Sequence, residues 1–294
     1  MNTSLMEKII SIEEFATLPQ AAIKVLNMLE DEDLLDLKEL TKTIETDAAL
    51  TIKLIKVANS PLFAIGKPIS SVHHAILTLG LKRISNIVVG ISIFSKFVYS
   101  SSIEIKNILE KYWKHTSSVA VVSKSLSKQT GLNFKDSEFL GGLLHDIGKI
   151  AMIQFDNLER YRNVIDLVEN KQITDFAAEE RVFDMTHCDI GCKIATQWKL
   201  PKLVSSIIAH HRNFEKADSD ARTIVAIVNV ANLLCDVWGN GFYEGTYAIQ
   251  FDKLPEWQHI CSVSKKDLNI EKITFELEKD YIEASQFISS INHS

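Results

Sequence analysis

Leu140-Gly141-Gly142-Leu143-Leu144-His145-Asp146-Ile147-Gly148-Lys149-Ile150 is the stretch around which the rest of this sequence is organised. An apolar run of helical character brings an imidazole and a carboxylate to adjacent positions, and Gly148 stands just past them, where the helix is predicted to stop. Neighbouring side chains leave the backbone in different directions. His145 and Asp146 therefore either bind one divalent metal together or each serve a different ion of a pair. A His-Asp dipeptide also occurs in structural and surface roles, so the metal reading needs ligands from elsewhere in the chain.

Upstream, residues 112–127 carry Val119, Val122 and Leu126 at helical spacing on the face that holds His115, which turns that imidazole inward as a satisfied core residue or as a ligand. Downstream, residues 158–168 and 175–183 read as helices. His187, Ile190, Ile194 and Trp198 then form one stripe, so His187 opens a helix with its ring over the buried face. Cys188 and Cys192, one turn apart, could join a soft-metal site, but small buried residues are the better reading. Residues 203–211 form the next helix, with Leu203, Ile207 and His210 on one face and the doublet His210-His211 at its end. Residues 223–237 form a strongly apolar helix containing Asn229 and Asn232, and a buried Asn232 requires hydrogen-bond partners or a metal.

The N-terminal half begins with a capping pattern, Ser11 with Glu14, and two short helices. Leu37, Leu40 and Ile44 give a further amphipathic repeat. Asp47 is an N-cap for residues 48–58, which Asn59-Ser60-Pro61 ends. Residues 70–84 read as helix, Gly80 break and helix, with His73 and His74 facing solvent or capping. A helix-turn-helix reader is a poor fit, because its recognition helix would be the apolar run after Ile84, with few side chains able to reach bases or phosphates. Ser100-Ser101-Ser102 is the best boundary between two halves.

Composition narrows the function classes. The chain has 294 residues, 46% of them hydrophobic, with 5 Pro and 11 Gly, which describes a folded protein with a large core. A formal net charge of −6 argues against electrostatic capture of nucleic acid or anionic lipid. The 4 cysteines form no Cys-x-x-Cys pair, and no signal-peptide segment precedes Glu13 and Glu14, so a reducing, cytoplasmic setting without a membrane is expected. There is no period-2 alternation that demands a sheet, no phosphate-binding glycine loop and no nucleophile elbow. The fold class read from these patterns is all-α. His115, His145, Asp146, His187, His210 and His211 lie at ends or inner faces of consecutive helices, a pattern that can converge ligands in a bundle core. Mixed imidazole and carboxylate ligands suit Fe, Mn, Zn, Co or Ni better than Ca or Mg.

The order His115, then His145-Asp146-Ile147-Gly148-Lys149, then His187, then His210-His211 resembles the HD superfamily of metal-dependent phosphohydrolases. Leu18-Pro19, the run from Asp47-Ala48-Ala49-Leu50 to Val57-Ala58-Asn59-Ser60, Ile69-Ser70-Ser71-Val72 and Leu79-Gly80-Leu81-Lys82-Arg83-Ile84 are similar to the HDOD family, the HD-related output domain of bacterial signalling proteins. Trp198-Lys199-Leu200-Pro201 matches that family too, and the likeness covers residues 11–235. It implies an N-terminal helical subdomain, 11–100, packed on an HD-like helical subdomain, 103–238, with a C-terminal extension, 239–294, that carries no evident chemistry.

In catalytic HD relatives the position of His115 binds one metal, His145 and Asp146 bind one or bridge two, and His187, His210 and His211 complete a second site. Lys149 falls where such relatives place a phosphate-contacting lysine. Their final ligand, an aspartate, is replaced here by Asn232. HD-GYP relatives, which cleave a cyclic dinucleotide, place a glutamate where this chain has Lys111, and a Gly-Tyr-Pro segment where it reads Arg212-Asn213-Phe214-Glu215-Lys216. The resemblance thus implies a regulatory or scaffolding protein of bacterial signal transduction, holding one or two divalent transition-metal ions and binding a signalling protein or a small ligand such as a nucleotide. With one such unit nearly filling the chain, the signal is expected to pass through another molecule. The alternative is a metal-dependent phosphohydrolase acting on a nucleotide or phosphomonoester, favoured by His115, His145, Asp146 and His187 and opposed by Asn232 and Lys111.

Overall fold

The structure, a computed structural model, describes residues 18–30, 36–59, 63, 66–99, 103–155, 158–243 and 249–292. No strand occurs among the described residues, and the all-α expectation holds. The capping pattern at Ser11 and the boundary at Ser100-Ser101-Ser102 lie outside the described residues.

Among the described residues five helices make up the N-terminal half, and local capping sets the start of three of them. The five are α1 (Gln20–Glu30), α2 (Leu37–Glu45), α3 (Ala48–Ala58), α4 (Val72–Leu79) and α5 (Leu81–Tyr99). Asp36 accepts from the backbone N–H of Lys38 and Glu39 at the start of α2, Asp47 from Leu50 N–H at the start of α3, and Ser71 from His74 N–H at the start of α4. Asn59 closes α3 and ties it to the segment before α4: its Nδ2 donates to the carbonyls of Ile55 and Ile69, and its Oδ1 accepts from Ile69 N–H. Gly80, at φ 93°, makes the break between α4 and α5 in a backbone region that favours glycine. The apolar face of α5, with Ile84, Ile87, Val88 and Val89, is buried, as core packing requires and a DNA reader would not. His73 is exposed and His74 partly so.

The remaining helices wrap a long spine. They are α6 (Ile103–Thr130), α7 (Ser137–Leu144), α8 (Ile147–Phe155), α9 (Leu158–Lys171), α10 (Asp175–Phe183), α11 (His187–Gln197), α12 (Lys202–His210), α13 (Arg222–Cys235), α14 (Pro255–Val263) and α15 (Ile270–Asn292). α6 packs on α7, α13 and α15, while α11 packs on α8 and α12. A π-helical turn, Asp236–Asn240, follows α13. The segment Arg222–Asn240 is long and apolar enough to cross a bilayer, yet it is mostly buried, and Ile224, Val225, Val228 and Ala231 have no exposed surface. α5 meets α7 where Leu143 lies against Gly90. An ion-pair bridge adds to that contact: Asp136 binds Arg83 of the α5 start at 2.8 Å and Lys124 of α6 at 2.7 Å.

Gly148 does not end a helix. α7 stops at Leu144, His145 and Asp146 make the turn, and α8 starts at Ile147, so Gly148 lies inside the following helix. Its role is close approach: a Cβ there would sit 2.0 Å from the His187 carbonyl oxygen, so glycine lets α8 and α11 cross. Gly142 does the same for α7 against α6, where a Cβ would meet Ala120 Cα at 2.8 Å. Cys188 is buried as expected, whereas Cys192 is exposed, because it lies on the outer side of α11.

Candidate metal centre

Four imidazoles meet at the carboxylate of Asp146. His115 comes from the middle of α6, His145 and Asp146 from the turn between α7 and α8, His187 from the first position of α11, and His211 from the end of α12. All five are buried, with His115 the least so at 2% exposure. The start of α11 is fixed by a capping box between Thr186 and Asp189, which sets the direction in which His187 leaves the helix.

Each ring is oriented from behind through Nδ1. His115 donates to the carbonyl of Asn240 (2.9 Å), His145 to that of Gly142 (2.8 Å), and His187 to the Glu179 carboxylate (2.6 Å). His211 Nδ1 lies 3.2 Å from the Ile207 carbonyl. With those N–H groups engaged, the four Nε2 atoms are left facing Asp146. Nε2 of His187 and His211 lie 3.2 and 3.4 Å from Asp146 Oδ1, and 3.2 Å from each other. Nε2 of His145 and His115 lie 3.4 and 3.7 Å from Oδ2.

These residues fit a metal ion. Ligand atoms held about 2.1 Å from one ion at tetrahedral angles stand about 3.4 Å apart, close to the triangle formed by His187 Nε2, His211 Nε2 and Asp146 Oδ1. His145 Nε2, Asp146 Oδ1 and both amide atoms of Asn232 are buried without a hydrogen-bond partner in the protein. Polar atoms in that condition are costly unless something binds them.

The field around the site favours positive charge on one side. Burial opposes ionisation of Asp146, but His145, Lys149 and His187 outweigh it and hold the carboxyl well below the usual carboxylate range. Burial also opposes charge on His187, and Glu179 outweighs it, raising that imidazole well above its ordinary value. His211 is raised as well, its burial overcome by Cys188 and Asp146. On the other side burial, then His145, push His115 down to about 3, and burial pushes His145 down to about 4.

Lys149 falls where the resemblance implies a phosphate-contacting lysine. Its Nζ is held between Asp146 Oδ2 (2.7 Å) and Asp175 Oδ2 (2.9 Å), and Arg212 binds the same Asp175 oxygen at 2.6 Å. Lys149, Asp175 and Arg212 line a cavity of about 460 Å³ together with His115, Asp236 and Tyr243. His115 is the only one of the five converging residues in its wall.

The structure does not bring His210 to this point. The inward face of α12 carries Val204, Ile207, Ile208 and His211, so the stripe through Leu203, Ile207 and His210 is rotated by about one residue from the buried one. His210 is partly exposed, and beyond burial its strongest electrostatic neighbours are Asp218 and Lys216. Lys111, one turn before His115, is at the surface, where solvent screens its charge. Cys188 Sγ lies 3.8 Å from Nδ1 of His211, the ring atom turned away from Asp146. Burial works against its ionisation, but His187 and His211 bring the thiol down to about 6.

Sequence reasoning missed five contributors. Glu179 and Asp175 sit on the inner side of α10, legible only as acidic residues in a partly apolar helix. Asn240 acts through its backbone carbonyl, which leaves no sequence signal. Phe242 and Tyr243 cover the cavity beside Lys149, with ring centres 5.6 and 5.1 Å from its Nζ. The extension after residue 239, read as carrying no chemistry, therefore supplies a positioning contact and part of the cavity wall.

Comparison with known proteins bears on the fold and the family. A protein of Treponema pallidum (strain Nichols), itself uncharacterized, is 24% identical over 224 residues, 76% of this chain and 42% of that protein, so this chain spans less than half the length of that relative. The crystal structure of an HDOD domain protein of unknown function from Geobacter sulfurreducens superposes with a TM-score of 0.81 at 26% identity, over 98% of this chain and 97% of the other. A candidate signal transduction protein from Marinobacter aquaeolei gives a TM-score of 0.69 at 17% identity, over 99% of this chain and 61% of that one, a likeness of fold alone. The family model of the HDOD domain matches residues 15–214, and the chain belongs to the HDOD domain family.

Proposed function

We infer that this chain is a metal-holding regulatory HDOD protein that responds to a small phosphate-bearing ligand, with a nucleotide as the class of suitable size. The observation that carries the reading is the convergence of four imidazole Nε2 atoms on Asp146, each ring held through Nδ1. His187, His211, His145, His115 and Asp146 are the donors from which an ion would draw its ligands, and a divalent ion there would supply a Lewis-acidic positive centre. Glu179 and the carbonyls of Asn240, Gly142 and Ile207 keep the rings in the binding tautomer. Lys149 and Arg212, which share the Asp175 carboxylate, line a cavity of about 460 Å³ together with Glu169 and Asp236. The volume is within the range of small-ligand sites, the two cations are the groups a phosphate would engage, and Phe242 and Tyr243 give the cavity an aromatic wall suited to a base. A role in signalling is supported by the name of the Marinobacter relative, which assigns that protein to signal transduction.

Asn232 favours regulation over turnover. It is a neutral, fully buried amide in place of a carboxylate, and it binds a transition metal less well than an aspartate. The intact set His115, His145, Asp146 and His187 favours the competing reading, a metal-dependent phosphohydrolase. The test begins with elemental analysis of protein purified without an affinity metal or chelator, beside Asp146→Asn. Thermal melts of the loaded protein with a nucleotide panel follow, with phosphate release measured in parallel. The expected result is bound Fe, Mn, Zn, Co or Ni that the variant loses, and a nucleotide-dependent rise in Tm without phosphate release. Wild-type protein that stays metal-free when metal is offered sinks the metal reading, and steady phosphate release replaces regulation with hydrolysis.

A further inference from the structure

The two oxygens of Asp146 keep different company. Oδ1 has no hydrogen-bond donor and faces His187 Nε2 and His211 Nε2 at 3.2 and 3.4 Å. Oδ2 is held at 2.7 Å by Lys149 Nζ, with His145 and His115 farther off at 3.4 and 3.7 Å. Lys149 comes from the first turn of α8, three residues after Asp146, and its side chain is 1% exposed. Asp175, itself steadied by Arg212, holds the ammonium from the other side.

That ammonium occupies the carboxylate oxygen which a second ion would share with His115 and His145. Two cations on one buried oxygen repel strongly, because little water screens them. On the HD resemblance the place of a further anionic ligand is taken by Asn232, a neutral amide that is fully buried without a partner in the protein. Among the described residues no lysine or arginine holds Oδ1, whose neighbours are the two imidazoles.

We propose, resting on the metal reading above, that the centre is mononuclear: one divalent transition-metal ion is held by Asp146 Oδ1, His187 Nε2 and His211 Nε2, and Lys149 is the permanent second cation on Oδ2. The cavity lies on the Lys149 side, since His115 and Lys149 line it and His187 and His211 do not. An oxyanion that enters meets Lys149 and Arg212 before it meets the ion. The ion then organises the helix ends, and the lysine reads the ligand.

Equilibrium dialysis of the full chain against Zn²⁺, with elemental analysis and a circular-dichroism melt for each protein, tests this. Wild type and His115→Ala are expected to retain about one equivalent, His211→Ala to bind at least about tenfold more weakly, and Lys149→Met/Asn232→Asp to take up about two. If His211→Ala does not fold, His211→Gln carries the same comparison. Two equivalents in wild type, or equal losses in His115→Ala and His211→Ala, overturn the one-ion assignment while the metal reading survives. A double variant that still binds one equivalent overturns the role given to Lys149. No zinc in wild type removes both readings together.

Discussion

Gly148→Ala puts the crossing of α8 and α11 to a direct test. A Cβ at position 148 would lie 2.0 Å from the His187 carbonyl oxygen, 2.7 Å from its carbonyl carbon and 2.9 Å from its Cα, whereas ordinary contact begins at 3.4 Å. The obstacle is backbone, so no rotamer change relieves it, and the start of α11 has to retreat by more than 1 Å. His187 is the first residue of that helix and carries one corner of the ligand triangle, where metal distances tolerate only about 0.2 Å. Overpacking of this kind costs about 3 kcal/mol, offset by up to about 1 kcal/mol of better helix propensity. At roughly 2–4 °C per kcal/mol, Tm should fall by at least about 4 °C, and metal affinity should fall with it. Gly90→Ala is the control: its Cβ meets the Leu143 Cδ2 methyl at 2.4 Å, the tip of a flexible side chain, so the cost should stay within about 1 kcal/mol. Thermal melts and Zn²⁺ competition against a chromophoric chelator read both effects. Gly148→Ala that melts and binds like wild type, or Gly90→Ala that is equally damaged, would refute the close-approach argument.

Two further outcomes follow from buried carboxyl groups. Glu179→Gln removes the charged acceptor at 2.6 Å from His187 Nδ1 and should weaken metal binding by about 10–100-fold, measured by the same chelator competition; unchanged affinity would show that Glu179 does not orient the ring. Glu138, on α7, is pushed up to about 7 by burial and then by Asp136, despite Lys124 and Arg83, from an ordinary value of 4.5. Between those values the native state keeps a proton that the unfolded state releases, so this residue makes stability fall as pH rises from about 4.5 to 7, by about 3 kcal/mol in full. Urea midpoints measured across that window should show the decline in wild type and lose that part of it in Glu138→Gln; parallel curves for the two proteins would rule out Glu138 as the source.

What the sequence made legible was local. Asp47 reads as a cap because the bond runs between residues three apart, and such bonds depend on residue type and spacing alone; Ser71 and Thr186, not singled out from the sequence, cap in the same way. The adjacency of His145 and Asp146, and the placement of His115 and His187 on apolar stripes, are likewise one-dimensional facts. His210 against His211 shows where that resolution ends. Consecutive helical residues point about 100° apart, so a stripe misplaced by one residue exchanges a ligand for a partly exposed side chain. Gly148 shows the same limit in another form: a glycine near a helix end and a glycine at a helix crossing look alike until the second helix is in place.

Lys149 and Asn232 show why the chemistry of the centre needed three dimensions. The exchange of an anionic ligand for Asn232 can be read in sequence as a loss. On that basis alone, every ligand the metals share is weakened equally. The geometry divides the loss, because Lys149 reaches only Oδ2 and leaves Oδ1 to the imidazoles of His187 and His211. A buried carboxylate that has lost a cation on one side needs another, and a lysine from the next helical turn supplies it without any ion from solution. The same ammonium forms part of the cavity wall, so the residue that completes the charge balance of the centre is also the one an entering anion must contest. On the one-ion proposal, binding in the cavity would be coupled to the grip on Asp146, and through Asp146 to the end of α7, the start of α11 and the end of α12, where His145, His187 and His211 stand.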